Sequence, residues 1–191
     1  MISERITSLT DRDIFNIIEE KISNAIINSI KKNQILSELD FQFKILDFIN
    51  YEILKNNDLR WKIHNCYYIS EFRKFPDLVL FLDNLPVIFI EIKCFLFKNP
   101  NVEEINDDIK KLDLILKNFA NIKKCYTINV YSCSEKKDKD FQKSILQIDE
   151  DKIEIINWNL ELLLKDFDNY KKKYNQYLST LRKNLIKKPL R

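Results

Sequence analysis

The chain contains no glycine, and over 191 residues that absence removes a whole class of sites. Phosphate cradles of the G-x-G-x-x-G or Walker A kind need backbone that passes close to the ligand or turns left-handed, which a Cβ obstructs. Histidine is nearly as scarce. His64 is the only one, so histidine triads and multi-histidine metal centres have little material, and His64, near a strand start, reads as structural. The four cysteines, Cys66, Cys94, Cys125 and Cys133, are scattered, with no C-x-x-C pair. That argues against structural zinc and for buried free thiols; nothing in the pattern supports a Cys125–Cys133 or Cys66–Cys94 disulfide. No apolar run reaches the roughly 18 residues of a spanning helix, and no cationic-apolar leader follows Met1, so an intracellular, cytoplasmic protein without membrane contact is expected. An excess of one charge is missing too. With 32 basic and 29 acidic residues the net charge is +3, so any binding to nucleic acid must come from local patches.

What is present is a hydrophobic fraction of 45% and a charged fraction of 32%, as in a globular domain with a full core. The chain is organised around 75–95, FPDLVLFLDNLPVIFIEIKCF, which reads as two apolar strands joined by a tight turn at Asp83-Asn84-Leu85-Pro86. Asp77, Glu91 and Lys93 interrupt those strands. A loop of about three residues centred on Asn84 or Leu85 sets Asp77 opposite Glu91 or Lys93, all on one face. Two carboxylates so close repel unless a cation lies between them, which suits a divalent metal with oxygen ligands. The Ile92 carbonyl is a further potential ligand, and Lys93 is placed to contact a water or phosphate oxygen.

Pro76-Asp77, a short hairpin and then Glu91-Ile92-Lys93 resembles the PD-(D/E)xK nuclease superfamily. Asp108-Ile109-Lys110-Lys111-Leu112 is similar to the opening of the helix that often follows in those enzymes. The resemblance covers roughly residues 37 to 131. It implies a restriction-endonuclease-like fold, Mg²⁺ or Mn²⁺ as cofactor and DNA as the nucleic-acid partner. It also implies a further acidic ligand from the helix before the first strand. Glu38 is favoured there over Asp47, Glu52 and Glu71, although Glu38 equally suits the positive end of a helix.

In chain order, isoleucines at 14, 17, 18, 22, 26 and 30 mark a helix over 11–33, capped by Thr10 with Asp13. A second helix over 37–55 is apolar on more than one face and is expected to be largely buried. Strands are expected at 62–70, 124–132 and, at an edge, 153–158, with a helix over 102–118 whose Asp107, Asp108, Lys110 and Lys111 read as solvated or paired along the helix. The charged stretch 134–140 reads as a loop. From Leu160 to Leu185 the spacing stays helical, with lysines at 171–173 as the best basic patch.

These readings predict an α/β protein, three-layer α/β/α, with a mixed central sheet of about four or five strands plus extra N- and C-terminal helices. One domain over 1–191 is expected, with a helical extension (1–36), a core (37–160) and a terminal helix (161–191). A homodimer joined through the terminal or the first helix is a further expectation.

Overall fold

The computed structural model describes residues 8–32, 34–35, 37–65, 76–146, 148 and 151–186. Cys66, Glu71, the 66–70 part of the first expected strand and the basic tail 187–191 lie outside the described residues. So do the side chains of Leu181, Arg182 and Leu185.

The protein is α/β, with a mixed five-stranded sheet flanked by helices. The strands are β1 (Trp61–Asn65), β2 (Leu78–Leu82), β3 (Leu85–Cys94), β4 (Lys124–Tyr131) and β5 (Ile153–Asn159), and they lie side by side in chain order. The first three are antiparallel neighbours; β3, β4 and β5 run parallel. Parallel strands need crossovers, supplied here by α4 (Val102–Asn118) between β3 and β4 and α5 (Glu135–Ser144) between β4 and β5.

Alternation along the strands divides the core. Leu78, Leu80, Ile88, Ile90, Ile92, Tyr126, Ile128 and Val130 face the N-terminal helices, α1 (Asp11–Asn16), a π-helical segment (Ile17–Lys21), α2 (Ile22–Lys31) and α3 (Glu38–Lys55). Val79, Phe81, Phe89, Cys125 and Tyr131 pack on the other face with α4 and α5. Each fully buried isoleucine in these layers contributes roughly 1.5–3 kcal/mol.

The first helix shows how sequence sets local geometry. Thr10 forms the expected capping box, its Oγ1 accepting from Asp13 N at 3.2 Å and its N–H donating to Asp13 Oδ2 at 2.8 Å. Ile14, Ile18, Ile22, Ile26 and Ile30 recur every four residues and are all buried. Steps of four outrun the 3.6-residue turn, and the π segment, closed from Ile22 N to Ile17 O, takes up part of the excess. Buried Asp58 ties the start of the helix down by accepting from Leu9 N at 2.8 Å and pairing with Arg60 at 2.7 Å. The Arg60 bond holds its carboxyl below the usual aspartate value despite burial.

Three expectations are corrected. The 134–140 stretch is not a loop but the start of α5; Glu and Lys are good helix formers, Glu135 and Lys139 pair at 2.8 Å, and Phe141 and Asp138 supply a buried face too narrow to show as a periodicity. Helix α3 is one-sided, not largely buried. Phe41, Ile45, Ile49 and Ile53 face the core, while Leu39, Phe43, Tyr51 and Leu54 are exposed. The terminal helix is broken into α6 (Leu160–Leu163) and α7 (Phe167–Ile186), with Leu164 extended and buried between them. Phe167, Tyr170 and Tyr174 of α7 pack on the chain's own core, Phe167 and Tyr174 lying 5.6 and 5.0 Å from the Phe97 ring, while Tyr177 is exposed. Cys94, Cys125 and Cys133 are free thiols, and among the described residues no helix is long and apolar enough to cross a membrane.

Candidate active site

The β2–β3 hairpin positions the two acids, by a route other than a three-residue loop. Asp83 and Asn84 form a two-residue turn with φ of 51° and 67°, the left-handed pair a type I′ turn needs, and these two residue types tolerate it without glycine. Leu82 therefore pairs with Leu85, a register that, continued, would set Asp77 opposite Ile90, one residue short of Glu91. Between Leu80↔Ile88 and Phe81↔Pro86 the register shifts by one residue, next to a proline that has no N–H to give the ladder. After that bulge Leu78 pairs with Ile90, and Asp77 comes level with Glu91 one step beyond.

Asp77 sits just before β2 and bridges two elements. Its Oδ2 accepts from Ile92 N at 2.6 Å and its Oδ1 from Gln42 Nε2 at 2.8 Å. Burial pushes its pKa up to about 6, and the Glu38 charge adds to the rise against the Ile92 bond. Glu91 is 3% exposed and lies under α4, where its Oε1 pairs with Lys111. Burial raises its pKa to about 8, opposed by Lys111 and reinforced by Asp77 and Asp108. Lys93 pairs with Asp108 at 3.3 Å. Burial works against its charge, but Asp108, Glu38 and Asp77 outweigh it, and Lys93 stays an ammonium with a pKa above the ordinary lysine value.

Ile92 has its side chain in the opposite layer, so only its backbone belongs to the site. Glu38, in the first turn of α3, accepts from Cys94 N at 3.1 Å, and its charge acts on both Asp77 and Lys93. The other upstream acids lie elsewhere: Asp47 is exposed, and Glu52 is buried beside Lys21 at 3.5 Å. Thus the structure groups Asp77, Glu91, Lys93 and Glu38 at one end of β3. The exposed His64 stacks edge-on against Phe81 at 5.1 Å, apart from that group.

Three members escaped the sequence reading. Gln42 lies one turn after Glu38, and its i,i+4 spacing was the signal available. Asp108 and Lys111 were read as solvated or paired along α4; Asp107 and Lys110 do pair that way, whereas Asp108 and Lys111 turn inward to Lys93 and Glu91. Helix α4 lays Ile105 and Ile109 on one apolar cluster and Leu112 and Ile115 on another. Asp108 and Lys111 cross the gap between them, over a polar band on the sheet. In that band Glu91 pairs in register with Thr127, and Lys93 with Asn129. Thr127 Oγ1 donates to Asn129 Oδ1 at 3.2 Å, and Asn129 Nδ2 to Asn157 Oδ1 at 3.0 Å.

Among the described residues no group of three or more His, Cys, Asp or Glu side chains is arranged to hold a metal ion. The donors at hand are two carboxylates and the Ile92 carbonyl, with Glu38 anchored to the end of the same strand. Their chemistry still fits a hard divalent cation: half-buried Asp77 and buried Glu91 both have raised pKa values, Asp77 adding to the rise at Glu91, and they lie where added positive charge would let both ionise. The chain matches no family model, no curated protein and no solved structure.

Proposed function

We propose that the protein is a metal-dependent nuclease of the PD-(D/E)xK type, hydrolysing phosphodiester bonds of DNA. The observation that carries this reading is the placement of Asp77 level with Glu91 at one end of the sheet, with Lys93 two residues on in the same strand. Asp77, Glu91 and the Ile92 carbonyl would hold Mg²⁺ or Mn²⁺, with Glu38 as the further acid. When bound, such a cation makes water a better nucleophile and neutralises charge on the phosphate.

The remaining work falls to this chain's own groups. Lys93, kept charged by its acidic neighbours, holds its protons and donates hydrogen bonds, so it orients the attacking water and stabilises negative charge developing on the phosphate oxygens. Gln42 and the Ile92 N–H fix the Asp77 carboxylate from two sides. Asp108 holds Lys93 beside the acids, and the Asn129–Asn157 pair keeps the strand beneath it in register.

A second reading has its own support. Lys111 on Glu91 and Asp108 on Lys93 make a closed set of ion pairs, which suits a nuclease-like domain that binds nucleic acid or protein without cutting. Mn²⁺ titration followed by calorimetry separates the two. The nuclease reading expects binding by the wild type that weakens at least tenfold in Glu91→Ala; equal heats in both proteins would support the inactive domain.

A further inference from the structure

Past the carboxyl ends of the three parallel strands lies a cavity of about 490 Å³. Residues 97–99 after β3, Ser132 to Ser134 after β4 and Glu161 after β5 line it, with Lys137 of α5 and Lys171 of α7. Open α/β sheets bind ligands at this edge because loops and helix N-termini converge there. The walls are tied together: Ser132 N donates to Lys98 O at 2.7 Å, and Asn159 clamps the Cys133 backbone, accepting from its N–H at 3.2 Å and donating to its carbonyl at 2.8 Å.

Its chemistry suits an anion. None of the ion pairs among the described residues involves Lys98, Lys137 or Lys171. Lys171 Nζ instead lies 5.7 Å from the centre of the Phe167 ring. The ten-residue helix α5 starts at the cavity, and its N-cap, Ser134, makes no side-chain capping bond to the first-turn N–H groups. The acids of that turn are engaged elsewhere, Glu135 with Lys139 and Asp138 with Tyr131 Oη at 2.7 Å. Ser132 is 5% exposed, and its Oγ has no hydrogen-bond partner among the described residues. A buried hydroxyl left unpaired in a basic cavity is available to a ligand that enters it. The one opposing charge is Glu161, which takes part in no ion pair either.

We infer that this cavity binds a phosphate group of a nucleic-acid backbone, separate from the phosphate attacked beside Asp77 and Glu91. That an anion binds here rests on the cavity; that it belongs to nucleic acid rests on the nuclease reading above. A polymer is favoured over a small phosphate because the basic surface continues along α7 through Lys172 and Lys183. Lys98 lies five residues beyond Lys93 on the same segment, so the cavity and the proposed site share the carboxyl end of β3.

Fluorescence anisotropy with a short labelled duplex and a single strand, in EDTA so that nothing is cut, tests the inference. The Lys98→Ala/Lys137→Ala variant should bind about tenfold more weakly, with the slope of log affinity against log salt reduced by about 1 for each lysine removed. Glu161→Gln should bind more tightly than the wild type. The inference is overturned if the double variant loses no more than a remote pair, Lys31→Ala/Lys143→Ala, or if inorganic phosphate perturbs the Ser134 and Glu135 amides while neither oligonucleotide binds. Weak binding by the double variant together with no cleavage by the wild type would retain the cavity and remove the nuclease reading. Cleavage with undiminished binding by the double variant would do the reverse.

Discussion

Lys111 of α4 and Glu91 of β3 form an ion pair beneath the helix, with side chains 12% and 4% exposed. On the proposed reading the lysine stands where a divalent cation would meet the Glu91 carboxylate, so metal and lysine would compete for one charge.

Lys111→Met should therefore act oppositely on stability and on metal affinity. Removing one partner of a buried pair costs roughly 3 kcal/mol, and the metal-free variant should melt lower than the wild type. Mn²⁺ should bind the variant more tightly and raise its melting temperature by more than it raises that of the wild type. Equal shifts in the two proteins would place the metal away from Glu91.

Glu38→Gln separates ligand from cap. The amide can still accept from Cys94 N, so the melting temperature should stay within a few degrees of the wild type. Metal affinity and cleavage should both fall if the carboxylate is a ligand. Unchanged Mn²⁺ affinity would leave Glu38 as a helix-end acid that anchors the end of β3.

The hairpin was legible in the sequence because alternation and turn chemistry are local. Asp77 and Glu91 do come level, although through a two-residue turn and a bulge whose shifts together equal that of the three-residue loop. Pro86 was the local sign of that bulge. Asp108 and Lys111 were not legible as site residues, because charges at i,i+3 on an amphipathic helix look the same whether they meet solvent or a polar band on the sheet. Only the gap between the two apolar clusters under α4 decides the matter, and tertiary packing creates that gap. Gln42 was hidden for a different reason: its i,i+4 spacing from Glu38 was the one trace, and an uncharged side chain does not mark that spacing as part of a site until Asp77 is beside it. The break between α6 and α7 was missed because Leu160, Leu164 and Phe167 keep helical spacing across it.

Asp77 and Glu91 also set a pH dependence. Their folded pKa values, about 6 and about 8, lie above those of unfolded carboxyls near 4, so between those limits the folded state holds protons that the unfolded state has lost. The metal-free protein should lose stability as pH rises from about 4 to about 8, and should have regained this contribution fully below pH 4. Saturating Mn²⁺ should flatten or invert that slope. Melting curves across the range check the sign, and Glu91→Gln should remove most of the decline.

The most direct test of the account is cleavage itself, read on gels with plasmid, linear, branched and single-stranded DNA in Mg²⁺, Mn²⁺ or EDTA. The wild type should cut at least one substrate with either metal and none in EDTA. Asp77→Ala, Glu91→Ala and Lys93→Ala should each lower the rate by at least about 100-fold while remaining folded. Cleavage by Lys93→Ala at the wild-type rate, or no cleavage of any substrate by a folded wild type, would contradict the assignment.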